Sequence, residues 1–200
     1  PNLRELQHDE ALESIIKSCQ KVNNDKASSS DCKIKPLLIK IAPDLSDEQL
    51  VAVVNTARSA GCDGIIATNT TVERPKTFSK SEGKIFAETG GLSGAPLAKR
   101  STDMIHQIYS MTNGEWPIVG VGGIQSADDA WDKIGAGATL LQAYSGFVFE
   151  GAALTRSIIH GLDKKLKDVV TISFSLLGRN KAISLIIASF IIVVFDFLSI

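Results

Sequence analysis

Short apolar runs alternate along the chain with segments in which apolar residues return at helical spacing. The runs lie at 37–42, 64–67, 117–121 and 139–142. The helix-like segments that follow them lie at 46–57, 97–111, 126–134 and 154–166. Continuous apolar runs, rather than alternating ones, are typical of parallel strands that are buried on both faces. The pattern therefore predicts four successive βα units and a parallel α/β fold, either doubly wound or a barrel.

The first 35 residues carry a different pattern. Apolar positions between Leu3 and Val22 recur at near-helical spacing and predict a helix, whereas residues 23–35 are polar and predict a surface loop. Farther along, Ser46 precedes two acidic residues and Gln49, which is the pattern of a helix N-terminus closed by a capping box.

The number of βα units limits which closed architecture the sequence can form. A closed (β/α)8 TIM barrel takes about 250 residues, and four units make half of one. If the barrel interpretation holds, the outer two strands have unpaired backbone groups, and we expect this half-barrel to self-associate or to pair with a missing N-terminal half-barrel.

Composition narrows the function classes. The chain has 200 residues, 44% apolar and 22% charged, with a formal net charge of -1. A near-neutral chain without a cluster of Lys and Arg gives no reason to expect nucleic acid. Cys19, Cys32 and Cys62 form no Cys-x-x-Cys pair, and the three histidines have no ligand spacing, so no metal site is predicted. An odd cysteine count fits a reducing compartment.

Polar side chains occur where ligands of a barrel would bind, at the carboxyl ends of strands. Lys40 lies inside the first apolar run, where an ammonium needs either an anionic partner or a route to solvent from a frayed strand. Thr68, Asn69, Thr70 and Thr71 directly follow the second run. An Asn amide can both donate to and accept from the edge of a cyclic imide, although a turn or a helix cap would use the same residues.

Glycine-rich loops follow in the same positions. Gly90, Gly91 and Gly94 lie in one loop, and the pair Gly122-Gly123 ends the third apolar run just before a helix. Backbone N–H groups exposed at such glycines can bind an anion. Barrel enzymes often hold phosphate at the last two βα loops, which here are Gly122-Gly123 and residues 144–146.

These motifs together resemble those of the class 2, quinone-linked dihydroorotate dehydrogenases. The resemblance runs from Pro1 to about Asp168, so we divide the chain at 168. Its carriers are Leu38-Ile39-Lys40-Ile41-Ala42-Pro43-Asp44-Leu45, Thr68-Asn69-Thr70-Thr71, Glu88-Thr89-Gly90-Gly91-Leu92-Ser93-Gly94, Gly120-Val121-Gly122-Gly123 and Gln142-Ala143-Tyr144-Ser145. The resemblance implies strands five to eight of a (β/α)8 barrel.

The resemblance also implies an activity: oxidation of dihydroorotate to orotate in pyrimidine synthesis, with FMN as cofactor and ubiquinone as acceptor, at the mitochondrial inner membrane. Residues implied to contact FMN are Lys40, Thr68, Gly94, Gly122, Gly123, Tyr144 and Ser145. Asn69 and Thr70 are implied to hold the pyrimidine. A fixed cation such as Lys40 beside the flavin would favour its anionic reduced form.

The resemblance also implies that a catalytic residue of the family is not in this chain. The family's proton-abstracting serine precedes a Pro-Asn-Thr sequence, and this chain starts with Pro1-Asn2, so the base is expected upstream and no catalytic residue is assigned here. We therefore expect the chain to be inactive alone. The alternatives are a non-catalytic truncated product and another barrel oxidoreductase that binds FMN or phosphate.

The C-terminal residues, 169–200, depart from the family pattern. Ala182 to Ile200 is an apolar run whose one charge is Asp196. Its length would allow it to span a bilayer. Non-native sequence and a core helix are the alternatives, because length alone permits insertion and no more.

Overall fold

Four short strands form one parallel sheet at the centre of the molecule. The structure is a computed structural model that describes residues 9–29, 33–75, 79, 83–84 and 86–177. The strands are β1 (Leu38–Ile41), β2 (Gly64–Ala67), β3 (Ile118–Val121) and β4 (Leu140–Gln142). They lie in the order β1-β2-β3-β4, and each neighbouring pair is parallel. The parallel sheet predicted from the apolar runs is therefore confirmed.

The helices connect these strands as the sequence pattern predicts. They are α1 (Asp9–Ser29), α2 (Asp47–Ser59), α3 (Ala98–Met111), α4 (Ala127–Gly135), α5 (Ser145–Glu150) and α6 (Ala152–Leu177), and a 3-10 turn, Ala95–Leu97, precedes α3. The helices predicted after each strand correspond to α2, α3, α4 and α6. The short helix α5 was not predicted, because six residues are too few to show a helical period.

The start of α2 has the capping box that the sequence predicts. The backbone N–H of Gln49 donates to Ser46 Oγ at 3.2 Å, and the backbone N–H of Ser46 donates to Gln49 Oε1 at 2.9 Å. Ser46 and Gln49 thus satisfy two donors that the helix would otherwise leave without acceptors. Ser126 caps α4 in a similar way, by accepting from the N–H of Asp129 at 3.2 Å.

The predicted loop at residues 23–35 is wrong over its first part, because α1 continues to Ser29. The polar residues there have neither glycine nor proline to stop a helix, and they lie largely on its exposed side. Asn23 then holds the returning chain, because its side chain accepts from the Lys35 N–H at 3.0 Å and donates to the Lys35 carbonyl at 2.6 Å. Polarity indicated exposure correctly but did not indicate the end of the helix.

The two faces of the sheet differ in how they are covered. On the outer face, Ile41, Ile65 and Ile118 pack against α1, α2 and α3 in one apolar core. The inner face carries Ile66 and Val119, which are only partly buried by the described residues. Within the described residues, the strands are thus buried on the outer face and only partly covered on the inner face, where Val121 is buried.

Two further expectations concern the membrane and the C-terminal run. No helix within the described residues is both long and apolar enough to cross a bilayer. The run from Ala182 to Ile200 lies outside the described residues.

Candidate functional site

A pocket lies at the carboxyl ends of all four strands, with a cavity volume of about 230 Å³. Thr71, Gly90 and Gly91, which the sequence also singled out, are not among its lining residues. The structure does bring into the lining every residue that the family resemblance assigns to FMN or to the pyrimidine. They are Lys40, Thr68, Asn69, Thr70, Gly94, Gly122, Gly123, Tyr144 and Ser145. Parallel strands produce this convergence, because the loops after them leave from the same edge of the sheet.

Lys40 enters the pocket from the inner face of the sheet. It is in register with Ile66 on β2, and that row continues to Val119 on β3. Its side chain is exposed within the described residues, while partial desolvation by its surroundings lowers the pKa of the ammonium from its ordinary value. Lys40 thus lines the pocket as an ammonium that a ligand can reach, and its role stays a prediction.

The residues after β2 are held firmly by backbone hydrogen bonds. The Thr68 N–H donates to the Val121 carbonyl at 2.9 Å, and the Asn69 N–H donates to the Ile41 carbonyl at 2.7 Å. The peptide groups of this segment are thus tied to both neighbouring strand ends. The Asn69 Oδ1 accepts from the Thr70 N–H at 2.9 Å, which leaves the exposed carboxamide nitrogen available to a ligand.

The glycine loop after this segment packs directly against Thr70. A Cβ built on Gly91 would lie 1.8 Å from Thr70 Oγ1, so only glycine lets the loop approach this closely. A pair of hydrogen bonds between Thr71 and Leu92, 3.0 and 2.7 Å long, closes the loop against the segment after β2. The two motifs that the sequence showed separately therefore form one wall of the pocket.

Arg74 organises this wall and was not singled out by the sequence analysis. Its guanidinium donates to the carbonyls of Val72 at 3.0 Å, Phe86 at 3.1 Å and Gly90 at 2.8 Å. Further donations reach Thr71, Glu73 and Glu88. An Arg directly before Pro75 in a long loop was the only available signal, and only the folded loop shows which carbonyls it collects.

The glycine pair after β3 forms the opposite wall. Gly122 and Gly123 have φ angles of 121° and 70°, which L-residues with a side chain rarely adopt. A Cβ on Gly123 would lie 2.5 Å from the Ala98 Cβ, so the pair is pressed against the start of α3. Glycine is therefore required here both for the backbone conformation and for the close approach.

Residues beside this pair carry backbone donors and also line the pocket. Within the described residues, the N–H groups of Gly94, Gly123 and Tyr144 have no hydrogen-bond acceptor. Ser93 and Ser145 join the loops through a 2.7 Å hydrogen bond between their hydroxyls. We call the backbone N–H groups of 94, 122, 123, 144 and 145, which line one side of the pocket, the glycine cradle. Such N–H groups bind phosphate oxygens without any cationic side chain.

Gln142 is a further pocket residue that the sequence quoted only as part of a motif. It is in register with Val121, its side chain lines the pocket, and its Oε1 is buried without a partner among the described residues. A buried carboxamide oxygen without a partner is costly in a protein interior, so this atom is a ready acceptor for a ligand N–H group.

The pocket thus combines three chemically different parts. Hydroxyls and an Asn amide follow β2, a cradle of peptide N–H groups lies mainly on the loops after β3 and β4, and Lys40 lines the pocket from β1 on the inner face of the sheet. This arrangement suits a ligand with a phosphate at one end and a planar polar ring at the other. Within the described residues no group of three or more His, Cys, Asp or Glu side chains could hold a metal ion.

Comparisons of sequence and comparisons of structure both identify dihydroorotate dehydrogenases as similar proteins. The sequence model described as dihydroorotate dehydrogenase matches residues 1–166. Dihydroorotate dehydrogenase (quinone) from Trichodesmium erythraeum is 44% identical over 172 residues, covering 84% of this chain and 43% of that protein. The protein of the same name from Christiangramia forsetii is 48% identical over 158 residues, covering 79% of this chain and 44% of its own.

The fold agrees with solved structures. The crystal structure of Eimeria tenella DHODH in complex with ferulenol superposes with a TM-score of 0.75 at 36% identity, covering 85% of this chain and 48% of that one. Its ligand-free form gives a TM-score of 0.74. The chain spans less than half the length of the relatives that it matches.

Proposed function

This chain belongs to the quinone-dependent class of the dihydroorotate dehydrogenase family, and from that premise we propose that it forms the flavin-holding part of an enzyme that oxidises dihydroorotate to orotate. FMN is the proposed cofactor and ubiquinone the proposed acceptor. The sheet is proposed to be half of a (β/α)8 barrel, an α/β fold that fits its parallel order and its helical cover.

One observation carries the proposal: all nine residues chosen from the sequence line a single pocket. The residues present also fit the proposed cofactor. The glycine cradle offers several peptide N–H groups without acceptors, at a place where a Cβ on Gly94 would meet only Ser145, at 4.0 Å. A cradle of this kind matches a phosphate monoester better than a neutral ligand.

The proposed roles follow from position in the pocket. The cradle holds the phosphate, and Lys40 and Thr68 face the ring from the strand ends. Asn69 and Thr70, on the opposite wall, hold the pyrimidine through the carboxamide and the hydroxyl. The chemistry that bound FMN would supply is to accept a hydride equivalent from the substrate. We assign proton abstraction to no residue of this pocket, and we propose that the chain by itself is inactive.

The first test of this proposal is spectroscopic. The holoenzyme that contains this chain is expected to be purified with a flavin absorbance spectrum that bleaches when dihydroorotate is added anaerobically. The isolated 200-residue chain is expected not to catalyse this bleaching. Intact flavin that dihydroorotate does not bleach would contradict the activity, and a preparation without flavin would contradict the cofactor.

A pair of glycine variants tests the cradle. Gly123→Ala places a methyl group 2.5 Å from the Ala98 Cβ at a φ of 70°, so flavin retention should fall by about tenfold or more. Gly135→Ala is the matched control, because nothing lies within 4 Å of its Cβ position. Equal flavin retention in the two variants would argue against a phosphate site at this loop.

A further inference from the structure

Lys133 is a buried lysine behind the glycine cradle, on the outer face of the sheet. It lies on α4 and is only 1% exposed. Its stem packs against β3 at Gly120, where an added Cβ would lie 3.4 Å from the Lys133 Cβ. The ammonium therefore approaches α3 from below the pocket rather than from within it.

The ammonium donates to three oxygens in the first turn of α3. Lys133 Nζ lies 3.3 Å from the Ala98 carbonyl, 3.2 Å from Ser101 Oγ and 2.9 Å from Thr102 Oγ1. These three acceptors match the three N–H bonds of an ammonium. All three are neutral oxygens. The nearby carboxylates of Asp129 and Asp132 favour the charge, but burial disfavours it more, so an ammonium here costs more than an apolar side chain of similar size. Stability alone therefore does not account for a lysine at this position.

The turn that Lys133 holds is the surface on which the glycine pair rests. Ser101 Oγ donates to the carbonyl of Val121, the last residue of β3. The next two residues press on the same turn: a Cβ on Gly122 would lie 3.1 Å from the Ser101 Cβ, and one on Gly123 would lie 2.8 Å from the Ala98 backbone nitrogen. A small movement of the start of α3 would therefore displace the cradle.

We propose that Lys133 is a positioning residue for phosphate binding: by fixing the first turn of α3 from behind, its ammonium sets the conformation in which Gly122 and Gly123 present their N–H groups to the phosphate. This inference rests on the proposed function, because it takes the flavin phosphate as the anion that the cradle binds. Lys133 has no place in the chemistry and does not line the pocket itself.

A lysine with only a general structural role would produce a different result. A general loss of stability weakens the binding of every ligand of the protein. A displaced cradle weakens the binding of only those ligands that carry the phosphate. FMN and riboflavin differ by that phosphate alone. The ratio of their dissociation constants therefore reports on the cradle and is independent of turnover.

The experiment measures both dissociation constants by flavin fluorescence titration of the apoprotein prepared from the holoenzyme. Lys133→Met keeps the length of the side chain and removes its donors. We expect FMN binding to weaken by about tenfold, the size of effect given by one lost hydrogen bond to a charged group, with riboflavin binding changed less than about twofold. Lys167→Met, which removes an exposed lysine paired with Asp163, is the matched control and should change neither constant.

A second variant keeps the test decisive if Lys133→Met folds poorly. Ser101→Ala leaves the lysine in place and removes the hydroxyl that joins Nζ to the Val121 carbonyl. It should reproduce the selective loss of FMN affinity. Equal weakening of FMN and riboflavin in this variant, or no change in either, would overturn the inference while leaving the proposed function intact. A wild-type apoprotein that binds no FMN would overturn the proposed function and the inference with it.

Discussion

Lys40 and Lys133 approach the same pocket from opposite faces of the sheet, and their surroundings give them different roles. Lys40 is exposed on the inner face within the described residues. Lys133 is buried between α4, to which it belongs, and α3. Burial lowers the pKa of both ammonium groups, and it lowers that of Lys133 to about 8. A residue of one type thus serves as a proposed ligand contact in one place and as a support in the other.

The first prediction at the residue scale concerns Lys40. Lys40→Met removes the positive charge that faces the proposed flavin ring, so FMN retention and turnover should both fall, retention by about tenfold. Lys17→Met is the control, because Lys17 lies on the exposed side of α1, 65% exposed, and pairs with Glu13. Flavin content is measured by absorbance after gel filtration, and an unchanged flavin content with an unchanged rate would remove Lys40 from the site.

The second prediction uses the lowered pKa of Lys133. Between about pH 8 and the ordinary value of 10.5, the folded protein has released this proton while the unfolded chain still holds it. Folding stability contributed by this group should therefore rise with pH across that window, by at most about 1.4 kcal/mol per pH unit. Below pH 8 both states are protonated and the contribution is constant.

Urea unfolding of the wild type and of Lys133→Met at pH 7 and pH 10 measures this effect. The free energy of unfolding of the wild type, relative to that of Lys133→Met, should be larger at pH 10 than at pH 7. The charges facing this ammonium are Asp129 and Asp132 on its own helix, which raise its pKa, and Lys99 and Asp103 on α3, which line the adjacent cavity. A pH-independent difference would show that Lys133 keeps its proton throughout this range.

At the scale of elements, hydrogen bonds join the described parts of the long connection between β2 and α3. Arg74 joins its two ends by donating to carbonyls at 71–73 and at 86–90. Thr70, the proposed pyrimidine contact, packs on Gly91 inside this connection. We therefore expect the position of Thr70 and of the loop around it to depend on the Arg74 guanidinium.

Arg74→Lys tests this dependence. A lysine retains the charge but has one nitrogen in place of the planar fork, so most of the carbonyl contacts are lost. The dissociation constant of orotate should rise by about tenfold, while FMN binding should change much less because only Gly94 of the cradle belongs to the loop that Arg74 holds. Arg58→Lys, at an exposed pair 3.9 Å from Glu115, is the control. Orotate binding is followed by the perturbation of the flavin spectrum, and an unchanged orotate constant would exclude this role for Arg74.

At the scale of the whole molecule, the described sheet has two edges and a partly open inner face. β1 and β4 each pair with one strand within the described residues, and Leu140 on the inner face is only partly buried. Unpaired strand edges and apolar inner positions are both surfaces on which other chains pair. The family match covers less than half of each relative, which agrees with a sheet that needs further strands.

The isolated 200-residue chain should therefore self-associate at micromolar concentration. Sedimentation velocity is expected to show dimers or larger species, and urea is expected to unfold them in a transition that depends on protein concentration. Co-expression with the N-terminal half of a curated relative should reduce this association. A compact monomer with a concentration-independent, cooperative transition would contradict the half-barrel proposal.

The sequence alone predicted the local elements of this protein, since local patterns encode them. Continuous apolar runs indicated the parallel strands, and the residues at Ser46 and Gln49 indicated the start of α2. That the nine candidate residues line one pocket also follows from the sequence, because strand ends in a parallel sheet converge whichever closed or open form the sheet takes. The end of α1 was missed, because exposed polar residues carry the same pattern in a helix and in a loop.

The tertiary structure decided what holds those elements in place. Nothing in the local pattern shows that Lys133 lies under the glycine pair or that Arg74 gathers carbonyls from both ends of one connection, because their partners lie up to 35 residues away along the chain. Lys133 shares the buried face of α4 with Ala130, where the period of an amphipathic helix calls for an apolar residue. The sequence shows the charge of Lys133. Only the packing of α3 on β3 shows which groups that charge contacts.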